Sequence, residues 1–442
     1  MTLALLLAAS IDGEAALRHA AALAALGPHP LGSPRARVAA EYVAAQFRAV
    51  GLGEVRLQEF AEGGLRGANA VGVLRAPGPE FVVLGAHHDT APEAPGAYDD
   101  GGGVGVLIEV ARVAARAAAR PRTLVFVSWD GEESLAPRTV GSRAWLRSLG
   151  SGVDHLSGAL VIEMCGWSGG RPVLHPLAYA DPLRPGRHVI APAWLVRAAL
   201  AGARRNGAPL GVGDPWLSWL YQPAVRTFRA RLYGDDLSLL QAGQPAVFAS
   251  DSSFSAFYPW YHQATDTKDK LDASALARMG AAVLGALGEL ERAPRGPAHE
   301  PDWFAAGGRV LGPSGLLALG ALSLAPGLVA GLRAGGTTLG ARLVQAACFG
   351  VLLARHPVPA LWTLLLPNLL LPFARRHGRL LALVPLLALL ALGGLAWRRG
   401  MVSGVWLAPW ECVIGALALL FAFARAPGRG AARAPRASRR GR

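Results

Sequence analysis

Phe81-Val82-Val83-Leu84-Gly85-Ala86-His87-His88-Asp89-Thr90 opens the stretch that decides the fold, and Thr123-Leu124-Val125-Phe126-Val127-Ser128-Trp129-Asp130-Gly131-Glu132-Glu133-Ser134 closes it. Each segment is an apolar run of strand length that ends in imidazoles or carboxylates. Between them lie Pro95-Gly96-Ala97-Tyr98-Asp99-Asp100-Gly101-Gly102-Gly103 and a helical pattern from Val104 to Ala118, stopped by Pro121. Runs that are apolar on both faces read as buried parallel strands, and open α/β sheets collect their chemistry at the carboxyl ends of such strands. The residue types gathered there point to metal-assisted hydrolysis.

Working outward, Gly13 to Leu26 and Arg35 to Val50 carry helical periodicity, broken by Pro28-His29-Pro30-Leu31-Gly32-Ser33. Val55 to Phe60 and Ala68 to Leu74 read as strands. Downstream, Gly141 to Leu149 reads as a helix, Gly158 to Met164 as a strand delivering Glu163, Asp235 to Ala242 as a short helix, Gln244 to Ala249 as a strand and Ala273 to Glu291 as the closing helix. This alternation predicts an α/β fold: a mostly parallel central sheet flanked by helices, in a domain spanning residues 1–293. Residues 166–231, with Trp194, Trp216, Trp219 and Tyr221, are less regular and read as an insertion that roofs the site.

Beyond Glu291 the composition changes. Residues 294–308 read as a linker, 309–424 as a transmembrane region of about five helices, several approaching the ~20 residues a bilayer requires while the second and third are short and interrupted, and 425–442 as an Arg-rich disordered tail. By the positive-inside rule the tail is cytoplasmic. Five spans then put the first domain on the extracytoplasmic side, and four would put it in the cytoplasm. The inside loops of the five-span arrangement hold Arg333, Arg342, Arg375, Arg376 and Arg379, and the outside loops hold Arg355, Arg398 and Arg399, so charge favours five. The expected location is the inner membrane of a bacterium. Leu3 to Ala9 is a short apolar run without the basic start of a secretory signal.

The net charge of +14 invites a nucleic-acid reading, but many arginines stand between apolar runs or in the tail, and no basic-aromatic recognition motif is present. No nucleic-acid partner is expected. Three cysteines, Cys165, Cys348 and Cys412, cannot form a disulfide framework and read as buried thiols.

Zinc hydrolysis requires neutral imidazoles and carboxylates, a carboxylate to bridge two ions, and a base outside the coordination sphere. Successive residues at a strand end point in opposite directions, so Glu132 and Glu133 can divide the work of base and ligand. His88 reads as a neighbour of the site, and Asp235 and Asp236 read equally as a helix cap or as site residues.

The sequence resembles the zinc-dependent aminopeptidase family of bacterial leucyl aminopeptidases, aminopeptidase Y and glutamate carboxypeptidase. Its motifs stand here as His87-His88-Asp89, Gly96-Ala97-Tyr98-Asp99, Glu132-Glu133, Glu163, and Tyr261-His262 followed by Thr265-Asp266-Thr267; Gly234-Asp235-Asp236 through Ala246 matches a further segment. The resemblance covers about residues 13 to 292 and implies a zinc exopeptidase fold. It implies one zinc on His87, Asp99 and Glu163 and a second on Asp99, Glu133 and His262, with Asp99 bridging. Glu132 is then the general base, Asp89 orients His87, and the Asp99–Asp100 peptide is cis. Glu163 departs from the commoner Asp. The membrane-anchored branch that resembles endoplasmic-reticulum metallopeptidase carries Glu there, has a Pro-His-Pro turn like Pro28 to Pro30, and bears C-terminal membrane helices. The expected activity is removal of N-terminal residues from peptides, with the lipid bilayer as a second partner. A glutaminyl cyclase on the same scaffold and a catalytically silent membrane scaffold are the alternatives.

Overall fold

The computed structural model describes residues 10–117, 119–134, 139–175, 179–180, 188–212, 234–252 and 257–298, together with four short strands beyond residue 303. The chain divides into two compact units, the first comprising residues 1–300 and 304–311. Nearly all of the expected membrane region and the whole tail lie outside the described residues.

The first unit is built on an eight-stranded mixed sheet. Helices α1 (Gly13–Ala24) and α2 (Pro34–Ala49) start on side-chain caps, Asp12 accepting from the Ala15 amide and Ser33 from that of Ala36. Strands β1 (Glu54–Glu62) and β2 (Leu65–Leu74) form an antiparallel hairpin across Gly63-Gly64. Then follow β3 (Phe81–His87), α3 (Gly102–Ala115), β4 (Thr123–Trp129), α4 (Val140–Leu149) and β5 (Leu156–Ile162). The insertion contributes β6 (Val173–His175), β7 (Tyr179–Ala180), β8 (His188–Val189), α5 (Ala193–Arg205) and β9 (Gly211–Val212). The unit continues through α6 (Asp235–Gln241), β10 (Ala246–Ser250) and α7 (Ala273–Leu290) to a small ladder of β11 (Phe304–Ala306) and β12 (Arg309–Leu311). In the second unit the described residues form one further ladder, β13 (Met401–Val402) with β14 (Val405–Trp406).

The sheet runs β1-β2-β4-β3-β5-β10-β6-β9. Its four central strands, β4, β3, β5 and β10, are mutually parallel, while β2 on one side and β6 on the other pair antiparallel to them. The expectation of a mostly parallel sheet therefore holds for the centre and not for the flanks. A two-glycine hairpin returns β2 beside β1, and no crossover helix separates them. The β3–β4 register sets His87 opposite Trp129, so the two chemistry-bearing segments end side by side.

Side chains alternate across the strands. Val71, Val83, Val127, Trp129 and Val161 meet Trp145 of α4 and Leu237 and Leu240 of α6 in one core. On the other face Phe126 lies 6.4 Å, centroid to centroid, from Phe47 of α2. Trp129 and Trp145 are fully buried edge to face at 6.1 Å, and truncating either to alanine would cost about 3–5 kcal/mol. Gly85 makes room for that packing, since a Cβ there would stand 2.0 Å from the Trp129 ring. Among the described residues one helix, α7, is long and apolar enough to cross a membrane, and it is 67% buried inside this unit.

The segment read as an irregular insertion contains a regular helix. In α5 the buried Leu195, Val196, Ala199, Leu200 and Ala203 form one face, the spacing of an amphipathic helix. Residues 213–233, with Trp216, Trp219 and Tyr221, lie outside the described residues.

Candidate metal centre

The site stands at the carboxyl ends of β3, β4 and β5. His87 is the last residue of β3, Glu132 and Glu133 follow β4, and Glu163 is the first residue beyond β5. Asp99 sits in the turn Ala97–Gly101, which Gly96 enters at φ 69°, a backbone angle that favours glycine. The Asp99–Asp100 peptide is cis. His262 reaches in from the loop after β10 and holds a left-handed backbone, φ 59°, as does Met164, φ 51°, next to Glu163. Two non-glycine residues in that region beside one cluster locate backbone strain at the site.

Asp99 is the centre of the arrangement. Its Oδ1 lies 3.3 Å from His87 Nε2 and its Oδ2 lies 3.2 Å from His262 Nε2, while His262 Nε2 also stands 2.7 Å from Glu133 Oε1. Three overlapping groups offer ligand atoms within 4.8 Å of one another: His87, Asp99 and Glu163; Asp99, Glu133 and His262; and His87, Glu132 and Glu133. His88 belongs to none of these groups among the described residues. It packs behind the site with Nδ1 2.9 Å from Ser128 Oγ, and burial, the largest influence, lowers its pKa to about 3, which keeps it neutral.

The orphaned atoms test whether a cation fits. His87 Nε2, Asp99 Oδ1 and Glu163 Oε2 are fully buried and make no hydrogen bond, although the first two come within 3.3 Å of each other. Native proteins rarely leave buried polar atoms unpaired. Imidazole nitrogen and carboxylate oxygen are the donor set that zinc takes. Burial pushes the acid of Glu132 well above its ordinary range and Glu133 adds to it; Glu163 is raised likewise by burial and then by Glu132. The residues present therefore fit a divalent cation, which would remove the cost of charging these acids together.

Asp89 is fully buried and accepts the amide of Glu132 on Oδ1 and that of Glu133 on Oδ2, each at 3.0 Å. The nearest partner of His87 Nδ1 is the main-chain oxygen of Asp89 at 3.1 Å, with the Asp89 carboxylate at 3.6 Å. A hydrogen on Nδ1 shared with that carbonyl leaves Nε2 free to face Asp99.

Further residues serve the site. The Asp100 carboxylate accepts the amides of His87, Gly103 and Met164 and so ties the end of β3 to the end of β5. Asp235, the first residue of α6, is buried within electrostatic reach of Glu132, and burial, the largest influence, raises its acid to about 7. The cap of α6 is Gly234, with no side-chain bond. Asp100 and Asp235 carried weak sequence signals, an acidic doublet in each case. Asp251, described below, carried none.

A parallel-centred α/β sheet thus gathers two imidazoles and four acids, a donor set that suits a divalent cation. Residues 69–193 match the model of peptidase family M28. The chain is 27% identical over 233 residues to a Mycobacterium tuberculosis protein named "Probable lipoprotein aminopeptidase LpqL"; the match covers 50% of this chain and 44% of that protein, so this chain spans less than half its relative's length. The fold matches BSAP, a zinc aminopeptidase from Bacillus subtilis, with TM-score 0.52 and 15% identity, over 64% of this chain and 97% of the other. It also matches the glutaminyl cyclase of Porphyromonas gingivalis with TM-score 0.50 and 22% identity, over 63% and 98%.

Proposed function

We propose that this protein is a membrane-anchored dizinc exopeptidase that removes N-terminal residues from peptides. The observation that carries the reading is the pair of contacts at Asp99, whose two oxygens face two different imidazoles at 3.3 and 3.2 Å. Zinc held by His87, Asp99 and Glu163 on one side, and by Asp99, Glu133 and His262 on the other, would polarise the scissile carbonyl and acidify the attacking water. Glu132 takes the proton of that water on its carboxylate and returns it to the leaving amine. Asp89 holds the main chain of both glutamates, so base and ligand keep their spacing. His87 presents Nε2 because Nδ1 is fixed by the Asp89 carbonyl.

The anchor is assigned to residues 309–424, with the peptidase domain on the extracytoplasmic side of a bacterial inner membrane. Apolar composition and arginine placement support this. Reporter fusions at the C-terminus and in the Arg333 loop test it: both reading cytoplasmic supports five spans, and a cytoplasmic C-terminus with an extracytoplasmic Arg333 loop removes the assignment.

The test of the activity is metal content and turnover of the purified full chain. Two zinc ions per chain and release of the first residue from aminoacyl amides or short peptides are expected. Ring closure of N-terminal glutamine without residue release would establish the cyclase alternative, and a protein that binds no zinc would remove both enzymatic readings.

A further inference from the structure

Beneath the ligand cluster lies a second set of buried groups that touches none of the ligand atoms directly. Asp266 Oδ1 accepts the Tyr98 amide at 3.0 Å and the Tyr258 hydroxyl at 2.8 Å, and its Oδ2 accepts the Asp99 amide at 3.2 Å. Asp251 Oδ1 accepts the Tyr98 hydroxyl at 2.5 Å, and its Oδ2 accepts the amides of Gly166 at 2.5 Å and Trp167 at 3.0 Å. Tyr98 is fully buried between the two acids, and its ring stacks on Tyr258 at 4.0 Å.

What this set joins gives it a function. The Tyr98 amide precedes Asp99, the Gly166–Trp167 turn follows Glu163, and Tyr258 and Asp266 bracket His262 in sequence. Three ligand-bearing segments thus hang on one tyrosine and two carboxylates, Asp251 and Asp266, which lie 153 and 168 residues from Tyr98 in the chain. Charge-assisted bonds to buried carboxylates are short and directional, so movement at Tyr98 passes to both halves of the site.

We infer that Tyr98, gripped by Asp251 and Asp266, is a positioning residue common to both metal sites; the inference rests on the dizinc reading above. Its amide and that of Asp99 fix the bridging carboxylate through Asp266. Its hydroxyl fixes the turn after Glu163 through Asp251. Its ring stacks on the tyrosine that leads into the His262 loop. Loss of the hydroxyl alone loosens the Glu163 arm relative to Asp99, and because Asp99 is shared, both ions are held less tightly.

Tyr98→Phe in the full chain tests this, since it keeps the ring stack and the main-chain bonds. Zinc affinity is read by competition with a chromogenic chelator, and ligand geometry by the visible absorption of the cobalt(II)-loaded protein. At least tenfold weaker binding of both ions is expected, the effect typical of removing a group that orients metal ligands, with a changed cobalt spectrum. A bond that merely stabilises the fold weakens metal-free and metal-loaded protein equally and leaves affinity where it was. Unchanged affinity therefore overturns the inference, even if the melting temperature falls. Loss of one ion with the other untouched overturns the shared role. Should Tyr98→Phe not fold, Asp251→Asn, which keeps one acceptor oxygen, is read against the same outcomes. A parent protein that holds no zinc overturns the inference together with the functional reading, whereas a zinc-loaded parent beside an unaffected variant overturns the inference alone.

Discussion

Asp89 and Glu133 are 44 residues apart in the chain, and the carboxylate of the first accepts the amide of the second at 3.0 Å. The other Asp89 oxygen accepts the Glu132 amide at the same distance. One side chain at the end of β3 thus sets the main chain of both glutamates at the end of β4. Asp89→Asn keeps one acceptor and turns an N–H₂ group towards the second amide. Groups that orient metal ligands typically lose 10–100-fold in affinity or activity on mutation, and kcat/KM is expected to fall within that range. Zinc affinity should fall with it, since Glu133 is displaced along with Glu132. A variant with parental kinetics and parental zinc affinity would show that β4 positions the glutamates unaided.

Glu132 separates from Glu133 in its expected response. Glu132→Gln removes the proton acceptor while His87, Asp99, Glu163, Glu133 and His262 remain. Retention of both zinc ions is expected, with turnover lower by about 10²–10⁴, the usual share of general acid–base catalysis. Glu133→Gln should instead release metal from the His262 side, whose Nε2 lies 2.7 Å from Glu133 Oε1. Metal analysis of the two variants side by side decides the roles, and an exchange of phenotypes would reverse them.

The elements that could be read from the sequence are those whose signal is local. Thr123–Trp129 is an apolar run of strand length and is β4 to the residue. His87, Glu132, Glu133 and Glu163 were readable as site candidates because each ends such a run. The antiparallel β1–β2–β4 flank was not, since apolar strands carry no mark of direction and only the Gly63-Gly64 hairpin signals the reversal. Helix α5 was missed although its apolar positions keep helical spacing, because two-residue strands and irregular segments surround it. Asp251 could not have been found at all. Its meaning lies in a bond to Tyr98, 153 residues distant, and a lone acid after a strand carries no hint of that partner.

Asp130 gives a pH prediction. It is 1% exposed, its Oδ2 accepts the Ala68 amide and its Oδ1 has no partner. Burial, and then the charge of Asp89, raise its acid from 3.8 to about 8. Between those values the folded metal-free chain keeps a proton that the unfolded chain releases, so this group's contribution is complete below about pH 4 and is lost as pH climbs to about 8. Asp130→Asn cannot ionise. Relative to the parent, its stability should improve by up to about 1.4 kcal/mol per pH unit through that window and then level off. Denaturant unfolding of both metal-free proteins at several pH values measures this, and parallel curves would mean that Asp130 is charged in the fold.

Metal removal should destabilise the domain most where its ligands are ionised. Burial raises the acids of Glu163 and Glu133, with neighbouring carboxylates adding to each. His262 is pulled the other way: burial opposes its charge, but Asp99 and Glu133 outweigh that and raise it to about 10. A cation can bind only after protons leave both kinds of group, so zinc uptake releases protons and strengthens as pH rises. Ligand that binds only the folded state stabilises it by about 2.7 kcal/mol at a hundredfold excess over Kd. The melting temperature should therefore drop on chelation, by more at pH 8 than at pH 6, and return when zinc is restored. An equal drop at both values would mean that the ligands are already deprotonated at pH 6. No drop at either would mean that these five side chains meet for a reason other than metal.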